Sequence, residues 1–331
     1  LSDVAAAAGV SAAAVSRYIN RKVTLRGDTA ARIDAAIAAL EYRPNPHARR
    51  LSIGRSDTIG LVVPDIANPF FGALADAVEQ AADAEGLNVL LFATRNRPGQ
   101  EIRALARLRD HHVDGLIFLT NHIDDGRLAS ALTGGCPVVL LDEDVAGAEV
   151  PRAFADNHTG GELAADHLLQ AGHRRLAFLG GPRGLLSTVE RHAGFSRAVA
   201  KGCAQIVFEN FGEYTAADGR EAARRLLAGP NHATAVFATS DATALGVLEA
   251  AHEAGVSVPG ALSIVAFDDV GPLHLLQPPL TAIRQPVAEL GRRGVALMVA
   301  RLRGGAIPPE PVRLPVELVR RGSVAPPPIE G

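Results

Sequence analysis

Thr58-Ile59-Gly60-Leu61-Val62-Val63-Pro64-Asp65-Ile66-Ala67-Asn68-Pro69-Phe70-Phe71 is the stretch at which the chain changes texture. Ile59 to Val63 is an apolar run of buried-strand type, and a helix is expected to follow from Phe71 to Glu85. The alternation then repeats. Strands are expected at 88–93, 115–119, 137–141, 175–179, 233–238 and 262–267, with helices at 100–110, 160–170, 190–200, 217–228 and 242–254. Repeated βα units imply parallel sheets covered by helices on both faces. So many strands favour two doubly wound lobes over one very wide sheet. The tail, Pro326-Pro327-Pro328, cannot propagate a helix.

Upstream of Thr58 the pattern is helical. Ser2 is placed to cap a helix through Val4 to Ala8, which Gly9 breaks, and Ser11 to cap a second from Ala12 to Ile19. A basic loop, 20–27, leads to a third helix with Ile33, Ile37 and Leu40 as its apolar stripe. Tyr42-Arg43-Pro44-Asn45-Pro46 ends it, because proline disfavours helix in the residue before it. A small-residue turn with Gly9 lets two short helices cross closely, as a helix-turn-helix requires.

The net charge of −3 conceals an asymmetry. Residues 1–56 carry nine basic side chains against four acidic ones, a balance of +5, which leaves −8 for the rest. A basic head on an acidic body suggests that the head alone meets a polyanion. No run approaches the ~20 apolar residues of a transmembrane helix, and the first residues show no charged segment followed by an apolar one. A cytoplasmic chain without membrane contact is therefore expected, with Cys136 and Cys203 as reduced core thiols.

The motif D-V-A-x-x-A-G-V-S-x-x-x-V-S-R-x-x-N at 3–20, followed by E-Y-R-P-N at 41–45, resembles the lactose-repressor/galactose-repressor family of bacterial regulators. The likeness resumes at Gly60 to Phe71 and continues through Val113-Asp114-Gly115, Leu176 to Gly181, Phe267-Asp268-Asp269 and Pro278-Pro279-Leu280-Thr281. It implies an α/β protein: an all-α helix-turn-helix head (1–44), a hinge (45–57), and a two-lobed, periplasmic-binding-protein-like core (58–331) that binds an effector and dimerises. By that resemblance Ser11, Ala12, Ala13, Ser16, Arg17 and Asn20 face DNA from the recognition helix. Arg17 has the chemistry for a bidentate contact to guanine O6 and N7, although a phosphate contact is the alternative. In the hinge, Asn45, Ala48 and Arg49 accompany Leu51, which would wedge into a central CpG step of a pseudo-palindromic double-stranded operator. A plain basic linker is the alternative there.

The resemblance also places Asn68, Phe70 and Phe71 after the first strand's end, where open parallel sheets bind ligands, and makes Arg191 and Asp241 polar effector contacts. Asp142, Ser187, Tyr214 and Asp268 are further candidates on neighbouring loops. The segment between Ala200 and Ile206 is shorter than the family's usual connection, which bears on where Tyr214 falls. The expected function is a DNA-binding regulator, a repressor in action, controlled by a small molecule. A sugar is expected, and a purine or nucleoside is the alternative within the family. A solute-binding protein would share the core but not the basic head. An enzyme would need a P-loop, a nucleophile elbow or metal-ligand spacing, and none is present. No cofactor and no metal are expected. A tail without leucine heptads implies a homodimer rather than a tetramer.

Overall fold

The computed structural model describes residues 1–19, 23–42, 56–110, 112–132, 137–230, 233–306, 308 and 310–328. They fall into two compact units, Leu1–Ser56 and Asp57–Gly331. The expected DNA contacts Asn20, Asn45, Ala48, Arg49 and Leu51 lie outside the described residues, as does Cys136.

The first unit contains α1 (Ser2–Ala8), α2 (Ala12–Ile19) and α3 (Gly27–Ala39). Gly9 ends α1 in the left-handed region, φ 63°, and returns its N–H to the carbonyls of Ala5 and Ala6. That conformation costs glycine nothing. Ser11 caps α2 as expected, its Oγ accepting from the Ala14 N–H at 3.2 Å. Ser2 does not cap α1: it is the helix's first residue, Leu1 holds the cap position, and no side chain bonds there. Val4, Ala5, Ala8, Val15, Ile33 and Ala36 form the small core. Leu40 is not part of the stripe; it is 47% exposed, because α3 ends at Ala39 and Ala36 takes the inward position.

The second unit opens with β1 (Thr58–Val63), α4 (Pro69–Ala84), β2 (Asn88–Ala93), α5 (Pro98–Arg109), β3 (Gly115–Phe118), α6 (Arg127–Leu132), β4 (Val138–Leu141) and β5 (Arg152–Ala155). It continues with α7 (Asn157–Gln170), β6 (Arg175–Gly180), α8 (Leu186–Lys201), β7 (Gln205–Phe211), α9 (Ala216–Ala228), β8 (Ala235–Ala238), α10 (Asp241–Glu253), β9 (Ser263–Asp268) and β10 (Thr281–Arg284). The last elements are α11 (Val287–Leu302), β11 (Val312–Leu314) and β12 (Glu317–Val319).

Two six-stranded sheets result, ordered β11-β5-β4-β3-β1-β2 and β12-β10-β9-β8-β6-β7. The two lobes thus repeat one doubly wound order, reversing direction beside β1 in the first and β6 in the second. All pairings are parallel except β10 with β12. The chain crosses between lobes three times: after β5, after β10 and after β11. α11 packs its Val287, Leu290, Val295 and Met298 into the first lobe's core, so neither lobe is a continuous segment. The final residues return along the second lobe, where buried Ser323 donates to the Ile264 carbonyl at 2.6 Å and accepts from the Thr281 N–H at 2.8 Å. Cys203 is exposed, not a core thiol. It sits in the tight turn from α8 to β7 at φ 51°, on the solvent side.

α7 and α8 approach each other at glycines. A Cβ on Gly161 would fall 2.2 Å from the Arg191 carbonyl oxygen, and one on Gly194 would fall 1.9 Å from that of His158. This contact fixes the height of α8, which carries Ser187 and Arg191. Gly194→Ala is therefore expected to cost about 1–3 kcal/mol through overpacking. Gly72→Ala in α4, with nothing within 4 Å of its added methyl, is expected to be neutral or stabilising by up to about 1 kcal/mol. Urea midpoints of the two variants should move in opposite directions or differ by that margin; equal midpoints would mean that α7 and α8 can separate freely.

Candidate functional site

Both sheets point the C-terminal ends of their strands into one cleft, the place where doubly wound folds bind ligands. The first lobe contributes Asn68, Phe70 and Phe71 after β1, Asn121 after β3, and Asp142 and Glu143 after β4. The second contributes Ser187, Arg191, Tyr214, Ser240 and Asp268, and the crossover after β10 adds Gln285. Asn68 caps α4, its Oδ1 accepting from the Phe70 N–H at 3.0 Å, which fixes the two phenyl rings edge to face with centroids 5.3 Å apart. The free cavity is about 30 Å³, room for a water or two rather than a sugar. Ligand entry therefore requires the lobes to part.

Arg191 organises the second lobe's wall. It is 3% exposed, donates from Nε to Asn157 Oδ1 at 2.8 Å and from Nη1 to the Thr239 carbonyl at 2.6 Å. Its guanidinium lies 3.7 Å from the centroid of the Phe267 ring, and Asp268 Oδ1 is 3.9 Å away. Across the cleft, Glu143 accepts from the Ser187 N–H at 3.2 Å and from the Ser187 hydroxyl. With Ser187 so committed, the Tyr214 hydroxyl donates to it at 2.9 Å and accepts from Thr188 at 2.8 Å. One hydrogen-bonded chain thus joins the lobes. The short α8–β7 connection does not displace Tyr214: its ring lies against Gly181, where a Cβ would come within 2.4 Å.

Burial dominates the acid–base behaviour. It pushes Asp142 up to about 7, with Asp268 adding to the rise and Arg191 opposing it. It pushes Glu143 up to about 8, reinforced by Asp142 and opposed by Ser187. Asp268 is also raised by burial, against the pull of Arg191. Asp142 and Asp268 hold positive φ, 69° and 98°. Such sparsely populated conformations cluster at binding sites.

Asp241 departs from its expected place. It does not line the cavity. Its carboxylate accepts from the N–H groups of Asp269 (3.0 Å), Val270 (3.0 Å) and Gly271 (2.9 Å), and so holds the loop after β9. Asn121, Glu143, Ser240 and Gln285 line the cavity without having been expected. Glu143 had a signal, the acidic run Asp142-Glu143-Asp144 directly after a strand. Gln285 follows β10, a strand too short to stand out by periodicity.

In the head, α2 turns Val15 inward and leaves Ser11, Ala12, Ala13 and Arg17 exposed, with Ser16 half-buried. Arg17 is held along the helix by a 3.3 Å bond from Nε to the Ala13 carbonyl. Tyr18 donates to Asp34 at 2.9 Å and ties α2 to α3.

Residues 1–45 match the model for bacterial regulatory proteins of the lacI family, and residues 165–324 that for a periplasmic binding protein-like domain. The chain is 32% identical to the HTH-type transcriptional regulator GalR of Escherichia coli (strain K12), covering 100% of this chain and 97% of GalR. The chain belongs to the LacI/GalR family. Its fold matches the lac repressor dimer bound to operator and the anti-inducer ONPF, with a TM-score of 0.87 at 29% identity over 98% of both chains. It also matches a complex of the transcriptional regulator CelR with cellobiose, with a TM-score of 0.75 at 31% identity over 97% of this chain and 98% of that one. As a LacI/GalR-family protein it is a DNA-binding transcriptional regulator with an effector-binding core, and not an enzyme.

Two outcomes follow for this LacI/GalR-family core. Asp241→Ala leaves three amide donors without their acceptor, at about 1–3 kcal/mol for each that stays unsatisfied, so its urea midpoint should fall. An unchanged midpoint would show that the 269–271 loop finds other partners. The raised acids also set a pH trend. An acid raised in the native state holds a proton that the unfolded chain, with carboxyls near ~4, has already lost. The contribution of Asp142 and Glu143 to stability therefore falls as pH rises from about 4, and levels off above about 7 for Asp142 and about 8 for Glu143. Glu143→Gln should flatten that decline in urea midpoint, and an unaltered slope would place the titration elsewhere.

Proposed function

We propose that this protein is a repressor that binds a pseudo-palindromic operator as a homodimer in the cytoplasm, and that a sugar or related polyol in the cleft controls the binding. The observation that carries the effector reading is the lining itself. Polar side chains from both lobes and two phenyl rings converge on a cavity too small for a ligand until the lobes part. Paired polar and aromatic surfaces suit a ring with several hydroxyls. The cellobiose bound by the similar CelR supports the same class. Asn68, Phe70, Phe71, Asp142, Ser187, Arg191, Tyr214 and Asp268 are its proposed contacts, and Asp241 acts behind them by holding the loop after β9.

For DNA, the exposed face of α2 supplies Ser11, Ala12, Ala13 and Arg17, with Ser16 beside them, and residues 45–57 form the hinge. Two half-sites require two heads, so the core is the dimerising part. Unpartnered apolar surface supports this. Leu90 and Leu91 on edge strand β2 are 43% and 46% exposed. Leu275, 72% exposed, adjoins an open groove of about 540 Å³ lined by Leu245, Leu248 and Leu276. A second copy covering these patches would remove the liability of exposed apolar area and a bare strand edge.

Three measurements test the reading. Arg17→Ala should weaken binding to the cognate half-site by about 1–3 kcal/mol and binding to random duplex far less; equal losses would assign Arg17 to phosphates. Leu275→Asp should turn a dimer into a monomer in light scattering, and a stable tetramer of the wild type would contradict the assembly. A thermal-shift screen of sugars and nucleosides should find a sugar that stabilises by about 2.7 kcal/mol at 100 times its Kd and that changes operator affinity. A response confined to nucleosides would favour the purine reading.

A further inference from the structure

The two helices beside edge strand β2 carry opposite charge. Every charged residue of α4 is an acid, Asp76, Glu79 and Asp83, and all three are exposed. α5 exposes Arg103 and Arg107, with exposed Arg97 just before it, while its one acid, Glu101, is buried against His122 at 2.6 Å. Asp110 follows its last residue. No ion pair among the described residues engages Glu79, Asp83, Arg97, Arg103 or Arg107, and Asp76 accepts from Gln80 at 2.8 Å. The two helices cannot pair within one chain, because they lie on opposite faces of the sheet. Leu74 and Val78 of α4 pack with Ile59 and Leu61, whereas Leu105 and Leu108 of α5 pack with Val62 and Leu116. Between them, β2 presents its exposed Leu90 and Leu91.

We propose that α4 of one protomer pairs with α5 of its partner across β2, so that opposite charge sets how the two copies of the homodimer face each other. The inference rests on the homodimer reading and adds the arrangement within it. Two copies meeting edge to edge at β2 have two choices of twofold axis. An axis perpendicular to the sheet runs the β2 strands antiparallel and keeps each face on its own side, which sets α4 against α4 and α5 against α5. An axis along the strands runs them parallel and exchanges the faces, which sets α4 against α5 twice. The first choice opposes acid to acid and arginine to arginine. The second opposes acid to arginine. Chain entry selects the same arrangement. Each core is entered at Thr58, where β1 starts, so only the axis along the strands brings both entry points to one end, as a shared operator requires. The charges are also level. At 1.5 Å per residue from the first residue of each helix, Asp76 and Glu79 lie about 10 and 15 Å along α4, and Arg103 and Arg107 about 8 and 14 Å along α5. Complementary charge of this kind fixes partner and register more than it adds affinity.

The test uses the full chain without ligand, in sedimentation equilibrium at about 0.1 M salt, where charges are screened beyond about 10 Å. One variant carries Arg103→Glu and Arg107→Glu, which leaves both helices acidic. The other carries Asp76→Arg and Glu79→Arg, which makes α4 basic like α5. Each alone should dissociate about tenfold or more readily than wild type, because like charges then oppose each other in both symmetry-related contacts. Mixed in equal amounts, the two variants should form a heterodimer that approaches wild-type affinity, since each acidic helix again meets a basic one. The neutral pair Arg103→Gln and Arg107→Gln, on an exposed helix face, keeps the test open where a reversal harms folding, and should also loosen the dimer. Either reversal or the neutral pair dimerising as tightly as wild type overturns the proposal, and so do folded reversal variants that stay apart when mixed. The homodimer reading then stands with another arrangement. A wild type that stays monomeric throughout is failure of the homodimer reading itself and takes the helix pairing with it.

Discussion

Arg191 is the constraint on which the effector core turns. A guanidinium keeps its charge when buried, so the fold must provide acceptors around it. Here the hydrogen-bond acceptors come from the first residue of α7 and the residue that follows β8, and Asp268 at the end of β9 faces the cation from 3.9 Å. Phe267 supplies a ring face for the cation. Because each acceptor is anchored in a strand end or helix start, satisfying Arg191 fixes the relative position of α7, α8 and the sheet. The glycine contacts at 161 and 194 let α8 come close enough for those bonds to form. Packing and electrostatics are thus one requirement rather than two.

That requirement explains why the cleft is rich in carboxylates that hold their protons tightly. Asp268 lies near Arg191 but just beyond hydrogen-bond length, at 3.9 Å, and so is only partly compensated. Asp142 has still less compensation within the protein. A site left unsatisfied in this way is unstable by design of its chemistry, and binding sites commonly carry such cost. Asp241 shows the contrast. It is similarly buried and acidic, but its three backbone partners make it a structural brace for the loop that follows Asp268.

The difference between Asp142 and Asp241 also marks where sequence reading reaches its limit. Most of the long apolar strands and their helices were legible because periodicity registers burial directly, but the seven-residue β7, which is only half-buried, and the sixteen-residue α11 were not anticipated. The βα alternation from Ile59 onward was enough to predict two lobes, and the motif at 3–20 was enough to place α2. The short strands β5, β10, β11 and β12 were not legible, since three or four residues carry too little pattern. Gln285, which depends on β10, was lost with them. Leu40 failed for a different reason: the periodic stripe was sound, but the helix stopped one residue early. Asp241 was singled out by family motif, which records position and not the hydrogen bonds that a side chain makes.

The topology then determines how a ligand event can travel. Three crossovers join the lobes, and those after β5 and β11 are tied by the Asp156 N–H to the Leu314 carbonyl at 2.8 Å, so the lobes can turn about one another only if contacts across the cleft release. Two kinds of contact resist. The Glu143–Ser187–Tyr214 chain spans the cleft with hydrogen bonds, and Arg313 of β11 forms a bidentate pair with Glu190 of α8 at 2.6–2.7 Å. The first uses buried groups at the mouth of the ligand cavity, so a ligand that enters must either replace or reinforce it. The second is partly exposed and lies beside a crossover, where a hinge motion changes distances least. Both contacts have to be accommodated by any change in the angle between the lobes. Any difference in affinity between the two lobe arrangements is the whole of the free energy available to alter DNA binding, and linkage returns the same factor from operator to ligand.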